Sequence, residues 1–101
     1  MVRLHGNWCG PNWTDGKAQP ANAAGVNFKG KCIDKLDCAC RAHDKDCAND
    51  LGCSRAADSK LILEALKIVA NPIYRIFNPS MVDAATLVIP AISAARLTRK
   101  R

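Results

Sequence analysis

The residue pair His43-Asp44 lies in a stretch with helical periodicity, and both side-chain types suit hydrolytic chemistry. A histidine accepts a proton near neutral pH, so it can act as a general base toward a water molecule. A carboxylate next to it in sequence can hold a hard cation. Adjacent helical residues point about 100° apart, so we expect the two side chains to act on different atoms of one site.

The helix that carries this pair is predicted over residues 33–49. At helical periodicity, Leu36, Ala39 and Cys40 fall on the same side as His43. Three apolar or weakly polar side chains on one side predict that this face is buried. We therefore expect the histidine to project toward the core rather than into solvent.

A second helix is predicted over residues 55–70, because an apolar stripe recurs there at helical spacing. The connection at 50–52 is so short that the two helices must run antiparallel and side by side. Positions whose numbers sum to about 101 then lie opposite each other, which sets Asp58 beside His43. A carboxylate in that place would fix the tautomer of the histidine.

The remaining segments are less regular in pattern. Residues 1–30 are predicted to be loop, because glycine, proline and asparagine interrupt nearly every stretch. Residues 73–80 are predicted to be an irregular connection between two prolines. A third helix is expected over 81–97, bent or broken at Pro90.

Two motifs carry a family resemblance. The sequence WCGPN at positions 8–12, followed by DKLDCACRAHD at positions 34–44, resembles the calcium loop and catalytic helix of the secreted and viral phospholipases A2. The Gly-Pro and Ala-His-Asp segments are closer in sequence to the parvoviral capsid type, whereas Cys9 and Cys40 resemble the secreted enzymes. The match covers about residues 6–66.

The resemblance implies an all-α, phospholipase A2-like fold: a calcium loop, two antiparallel helices and a further C-terminal helical segment. We accordingly expect a catalytic domain over residues 1–72 and an apolar and basic helical extension over residues 73–101.

The implied activity is calcium-dependent hydrolysis of the sn-2 ester of phospholipids, which releases fatty acid and lysophospholipid. By this resemblance, His43 activates the attacking water, Asp58 orients His43, and the amide of Gly10 stabilises the oxyanion. The cofactor is Ca²⁺. Its expected ligands are the carbonyl oxygens of Trp8, Gly10 and Asn12 and the carboxylate of Asp44.

Two positions depart from the family pattern. Asn12 stands where many relatives have glycine, but asparagine tolerates left-handed backbone better than most residues. Cys47 occupies the place of a tyrosine that often supports the aspartate, and we name Tyr74 as a candidate substitute.

The chain has six cysteines, an even number that favours three disulfides in an oxidising compartment. The resemblance implies a bridge from Cys9 to Cys40. Cys47 and Cys53 flank the predicted turn and are candidates to pair, which leaves Cys32 with Cys38.

Two alternatives stay open at this point. A zinc-binding module would use Cys40, His43 and Cys47, which share one helix face, with Cys32 or Cys38 as fourth ligand. A catalytically inactive relative would instead bind membranes or partners through its cationic end.

The formal net charge of +6 favours an anionic partner, for which we expect a phospholipid membrane surface and no specific nucleic acid. Four cations crowd at the end of the chain, where a solubilising tail is the other interpretation: Arg96, Arg99, Lys100 and Arg101. Residues 1–6 lack the apolar core of a signal peptide. A secreted or virion-associated location is favoured.

Overall fold

Helices dominate the computed structural model, which describes residues 3–101. A short hairpin of strands β1 (Trp13–Thr14) and β2 (Lys17–Ala18) precedes them. The helices are α1 (Lys35–Cys47), α2 (Arg55–Ala70), α3 (Pro72–Phe77) and α4 (Pro79–Arg96). The expectation of a mainly helical protein is confirmed.

The start of α1 is fixed by Asp34, whose carboxylate accepts a hydrogen bond from the amide of Asp37. Leu36, Cys40 and His43 lie on its buried face, so the predicted orientation of the histidine is confirmed. The helix spans Lys35–Cys47, so each end lies two residues inside the range 33–49 expected from the sequence.

The bounds of α2 agree with the prediction, and the side chain of Ser54 caps its first turn by accepting from the amide of Ala57. The contacts between α1 and α2 show that the two helices run antiparallel, because Asp46 meets Ser54 and His43 meets Asp58. Cys47 is bonded to Cys53 at the turn, and the amide of Ser54 donates to Asp46 at 2.7 Å. The short connection thus pairs the two helices as expected.

The irregular connection predicted over residues 73–80 is wrong, because α3 and the start of α4 occupy it. Pro72 and Pro79 each stand in the first turn of a helix, where the missing amide proton costs nothing. Asn71 and Asn78 cap these two helices with their side chains. Helix α4 also continues through Pro90 without a break.

One apolar core joins the two halves of the chain. Met81, Val82 and Val88 of α4 are buried in the same cluster as Leu36 and Leu61. The division into domains after residue 72 stays a prediction. Helix α4 packs against α2, and both helices contribute to this core. Among residues 3–101, no helix has the length and hydropathy needed to span a bilayer.

The β1-β2 hairpin is the regular element that the loop prediction overlooked. Its turn residues Asp15 and Gly16 have φ angles of 54° and 70°. Positive φ at both central positions is what a two-residue hairpin turn requires, and Asp-Gly is a preferred sequence for it.

The carboxylate of Asp37 attaches the N-terminal loop to α1. It is fully buried and accepts from the amides of Asn7, Trp8 and Ile33 at 2.8–3.1 Å. Gly6, at φ 59°, passes so close to this carboxylate that an added Cβ would collide with it. One side chain on α1 therefore fixes the path of the loop.

Replacing Asp37 with asparagine is expected to lower the free energy of unfolding by about 3 kcal/mol, because an amide NH₂ would face buried backbone donors. Urea unfolding measures the change. The matched control is Asp83→Asn, whose carboxylate pairs with Arg75 at the exposed surface. That substitution is expected to cost less than about 0.5 kcal/mol. Equal effects would contradict the assigned role of Asp37.

Candidate active site

His43 and Asp58 are joined across the α1-α2 pair. The Nε2 of His43 lies 2.5 Å from Oδ1 of Asp58. A carboxylate can only accept here, so Nε2 carries the proton and Nδ1 presents its lone pair. Nδ1 is 3.7 Å from the sulfur of Cys47, which is bonded to Cys53 and has no proton to give. The histidine is thus held in the tautomer that a general base needs.

Asp58 is fully buried and is bound on its other side by Arg99. The Nε of Arg99 lies 2.7 Å from Oδ2, and a terminal nitrogen lies 3.0 Å from Oδ1. Burial alone would raise the pKa of Asp58, but the hydrogen bonds from Arg99 and His43 outweigh it and lower that pKa. Asp58 is therefore held as a carboxylate.

The suggestion that Tyr74 supports Asp58 is wrong. The ring of Tyr74 lies against Lys35, whose Nζ is 5.7 Å from the ring centre. Arg99 takes the supporting place instead. It stands 41 residues after Asp58, and no local pattern in the sequence signals that contact.

Asp44 follows His43 on α1 and lines the same cleft. The hydroxyl of Thr14 donates to its Oδ2 at 2.7 Å. Burial raises the pKa of Asp44 to about 7, the negative charge of Asp37 adds to this, and the bond from Thr14 opposes it. A cation bound at this carboxylate would compensate the cost of burying its charge.

The loop at positions 8–12 lines the same cleft as Asp44 and offers carbonyl oxygen atoms. Trp8 is 1% exposed, and no hydrogen-bond donor within residues 3–101 bonds its carbonyl oxygen. The carbonyl of Asn12 is likewise without a donor in that part of the chain, while Gly10 accepts from Trp13 at 3.2 Å. Asn12 has φ 52°, so it does adopt the left-handed conformation considered for it.

These groups fit a calcium ion by their chemistry. Calcium prefers oxygen ligands, among them carboxylates and backbone carbonyls. A buried carbonyl without a partner costs about 1–3 kcal/mol, so the Trp8 oxygen favours a ligand. The carboxylate of Asp44 would supply negative charge. The residues present therefore fit the cation that the resemblance implies.

A cleft of about 550 Å³ collects the predicted site residues. Trp8, Gly10, Asn12, His43 and Asp44 all line it, whereas Asp58 lies behind His43. Its remaining wall includes several apolar side chains: Leu4, Leu61, Val88 and Ile92. The cleft thus combines polar groups with apolar side chains that suit a hydrocarbon chain.

A second histidine-aspartate pair shows why the cleft matters. The Nε2 of His5 lies 2.6 Å from Asp34, but this aspartate caps α1 and also accepts from Asn78. Neither member of the pair lines the cleft. The pair at His43 differs because His43 lines the cleft together with Asp44.

All six cysteines form disulfides, and the prediction of three bridges is confirmed. The pairs are Cys9–Cys40, Cys32–Cys38 and Cys47–Cys53. Ligand atoms of His43, Cys47 and Cys53 lie within 4.8 Å of one another, so the grouped residues include Cys53 in place of the predicted Cys40, which is bonded to Cys9. Cysteine binds zinc as a thiolate, so a zinc site that uses Cys47 would need its bridge to Cys53 to be reduced.

Three of the four terminal arginine and lysine side chains are engaged within the protein. Arg96 donates to Ser59, Arg99 to Asp58, and Arg101 to the carbonyl oxygens of Asp46 and Gly52. The end of the chain is therefore packed against α1 and α2.

Comparison with protein-family models, curated proteins and solved structures finds no match to the chain.

Proposed function

We propose that the chain is a phospholipase A2-like lipid hydrolase that cleaves the sn-2 ester of phospholipids in the presence of calcium. The observation that carries this proposal is the bond from His43 Nε2 to the buried Asp58, which leaves Nδ1 as the proton acceptor, in a cleft that His43 and Asp44 both line. The motif resemblance at positions 8–12 and 34–44 supplies the substrate class and the choice of ester.

His43 would remove a proton from water through Nδ1, and the water oxygen would attack the ester carbonyl carbon. Asp58 would stabilise the imidazolium through the Nε2 proton. His43 would then return its proton to the leaving alkoxide as the acyl C–O bond breaks. Fatty acid and lysophospholipid are the products.

The charge that develops on the carbonyl oxygen needs donors. The amide of Gly10, which bonds no acceptor within residues 3–101, is the proposed donor. Calcium held by Asp44 and the carbonyls of Trp8, Gly10 and Asn12 would supply a Lewis acid for the same oxygen. The apolar wall around Leu61 and Val88 would hold the acyl chain and keep bulk water out.

An anionic phospholipid surface is the proposed partner, supported by the net charge of +6. The test measures release of labelled fatty acid from anionic phospholipid vesicles. We expect release in calcium from label at sn-2, none from label at sn-1, and none in chelator. Undiminished release in chelator, or release from sn-1, would reject the mechanism. Vesicle binding without release in calcium would indicate the inactive membrane-binding relative.

A further inference from the structure

We propose that Arg99 is a positioning residue that holds Asp58, and through it the orientation of His43. Its guanidinium contacts both carboxylate oxygens at 2.7 Å and 3.0 Å, while its side chain keeps 20% of its surface exposed. Paired contacts of this kind restrict rotation of a carboxylate more than one bond does. The kinetic part of this inference rests on the proposed function, but the geometric part does not.

Asp58 needs a second partner because it is fully buried. His43 contacts Oδ1 alone, so Oδ2 has Arg99 as its partner among residues 3–101. Without the guanidinium, Oδ2 would be an unpaired oxygen in the core, and the carboxylate would rotate or take up a proton. Either change would weaken its hold on the Nε2 proton of His43.

The backbone around Arg99 is itself fixed by hydrogen bonds to Arg55. The amide of Arg55 donates to the carbonyl of Arg101 at 2.8 Å, and the Arg55 side chain donates to the carbonyl of Arg99 at 3.1 Å. Arg101 in turn donates to the carbonyls of Asp46 and Gly52 at the α1-α2 turn. The guanidinium is therefore presented to Asp58 by a fixed backbone.

A different role is open to an arginine that lines the cleft, namely binding an anionic substrate group. The two roles separate in the kinetics. Substrate binding would act on KM, whereas positioning acts on kcat at unchanged KM.

The experiment compares Arg99→Gln and Arg99→Lys with Lys100→Gln, the neighbouring exposed cation that no described group binds. We expect Arg99→Gln to lower kcat about 10- to 100-fold with KM within about twofold. Arg99→Lys is expected to recover part of this loss, because an ammonium keeps the charge without the paired geometry. Lys100→Gln removes the same charge and is expected to leave kcat unchanged, and a rise in KM that it shares with Arg99→Gln would reflect weaker attraction to anionic vesicles.

A second measurement is independent of activity. Nitrogen-15 chemical shifts of the His43 ring at one fixed pH report the tautomer. We expect a single Nε2-protonated form in the native chain and a mixture of tautomers in Arg99→Gln. Where Arg99→Gln does not fold, the same spectrum of Arg99→Lys decides.

The outcomes separate the two proposals. An inactive native chain whose tautomer still depends on Arg99 would reject the function and keep the inference. An active chain in which kcat and the tautomer survive Arg99→Gln would reject the inference alone. A rise in KM at unchanged kcat that Lys100→Gln does not share would assign Arg99 to substrate binding and would also overturn it.

Discussion

Replacing His43 with glutamine is expected to lower kcat for fatty-acid release by about 10³-fold. Glutamine keeps a polar side chain of comparable reach, but its amide has no basic nitrogen to accept a proton from water. The rate is measured on phospholipid vesicles in saturating calcium. Circular dichroism and the melting temperature establish that the variant is folded.

The matched control is His5→Gln, since the His5 side chain is 9% exposed against 7% for His43 and is also bonded to an aspartate, but lies outside the cleft. Its loss is expected to affect stability through the cap of α1 and to leave kcat within about threefold of the native value. If both variants keep full activity, the assignment of the base to His43 is wrong. If both lose activity equally, the loss reflects folding of the loop and not catalysis.

Replacing Asp44 with asparagine is expected to weaken calcium binding by about 100-fold or more, because it removes the negative charge from the donor set. Isothermal titration calorimetry of the apo protein measures the dissociation constant. The free energy of unfolding should not fall, because a neutral amide avoids the cost of burying a charge. That same cost raises the pKa of Asp44 to about 7.

Asp50→Asn serves as the control for this second result. Asp50 also lines the cleft, but it is exposed at the α1-α2 turn. We expect its loss to change the calcium dissociation constant by less than about threefold, since a single exposed charge acts weakly through water. An equal weakening in both variants would mean that the cleft attracts cations by net charge alone.

The predictable part of the site came from local patterns. The apolar period of α2 and the short turn before it were enough to pair Asp58 with His43. The buried face of α1 followed from the same reasoning. These contacts depend on neighbouring helices with a tight connection, which leave few possible registers.

Other features have an ambiguous local signal or none. The Asp15-Gly16 turn is a local hairpin signal inside the stretch that its glycines, prolines and asparagines predict to be loop. Pro72 and Pro79 flank the segment predicted to be an irregular connection, but proline also begins helices, as it does at both positions. Arg99 had no local signal, because the position of its side chain depends on how α4 packs on α2.

The loop that carries the proposed calcium ligands is attached to α1 by two chemically different means. One is the Cys9–Cys40 bridge, which closes 31 residues and is worth about 4 kcal/mol by the chain-entropy argument. The other is the set of backbone amides bound to Asp37, which a thiol reductant does not touch. A reducing environment would therefore lower the stability of the protein, but the loop would keep its attachment to α1 through Asp37.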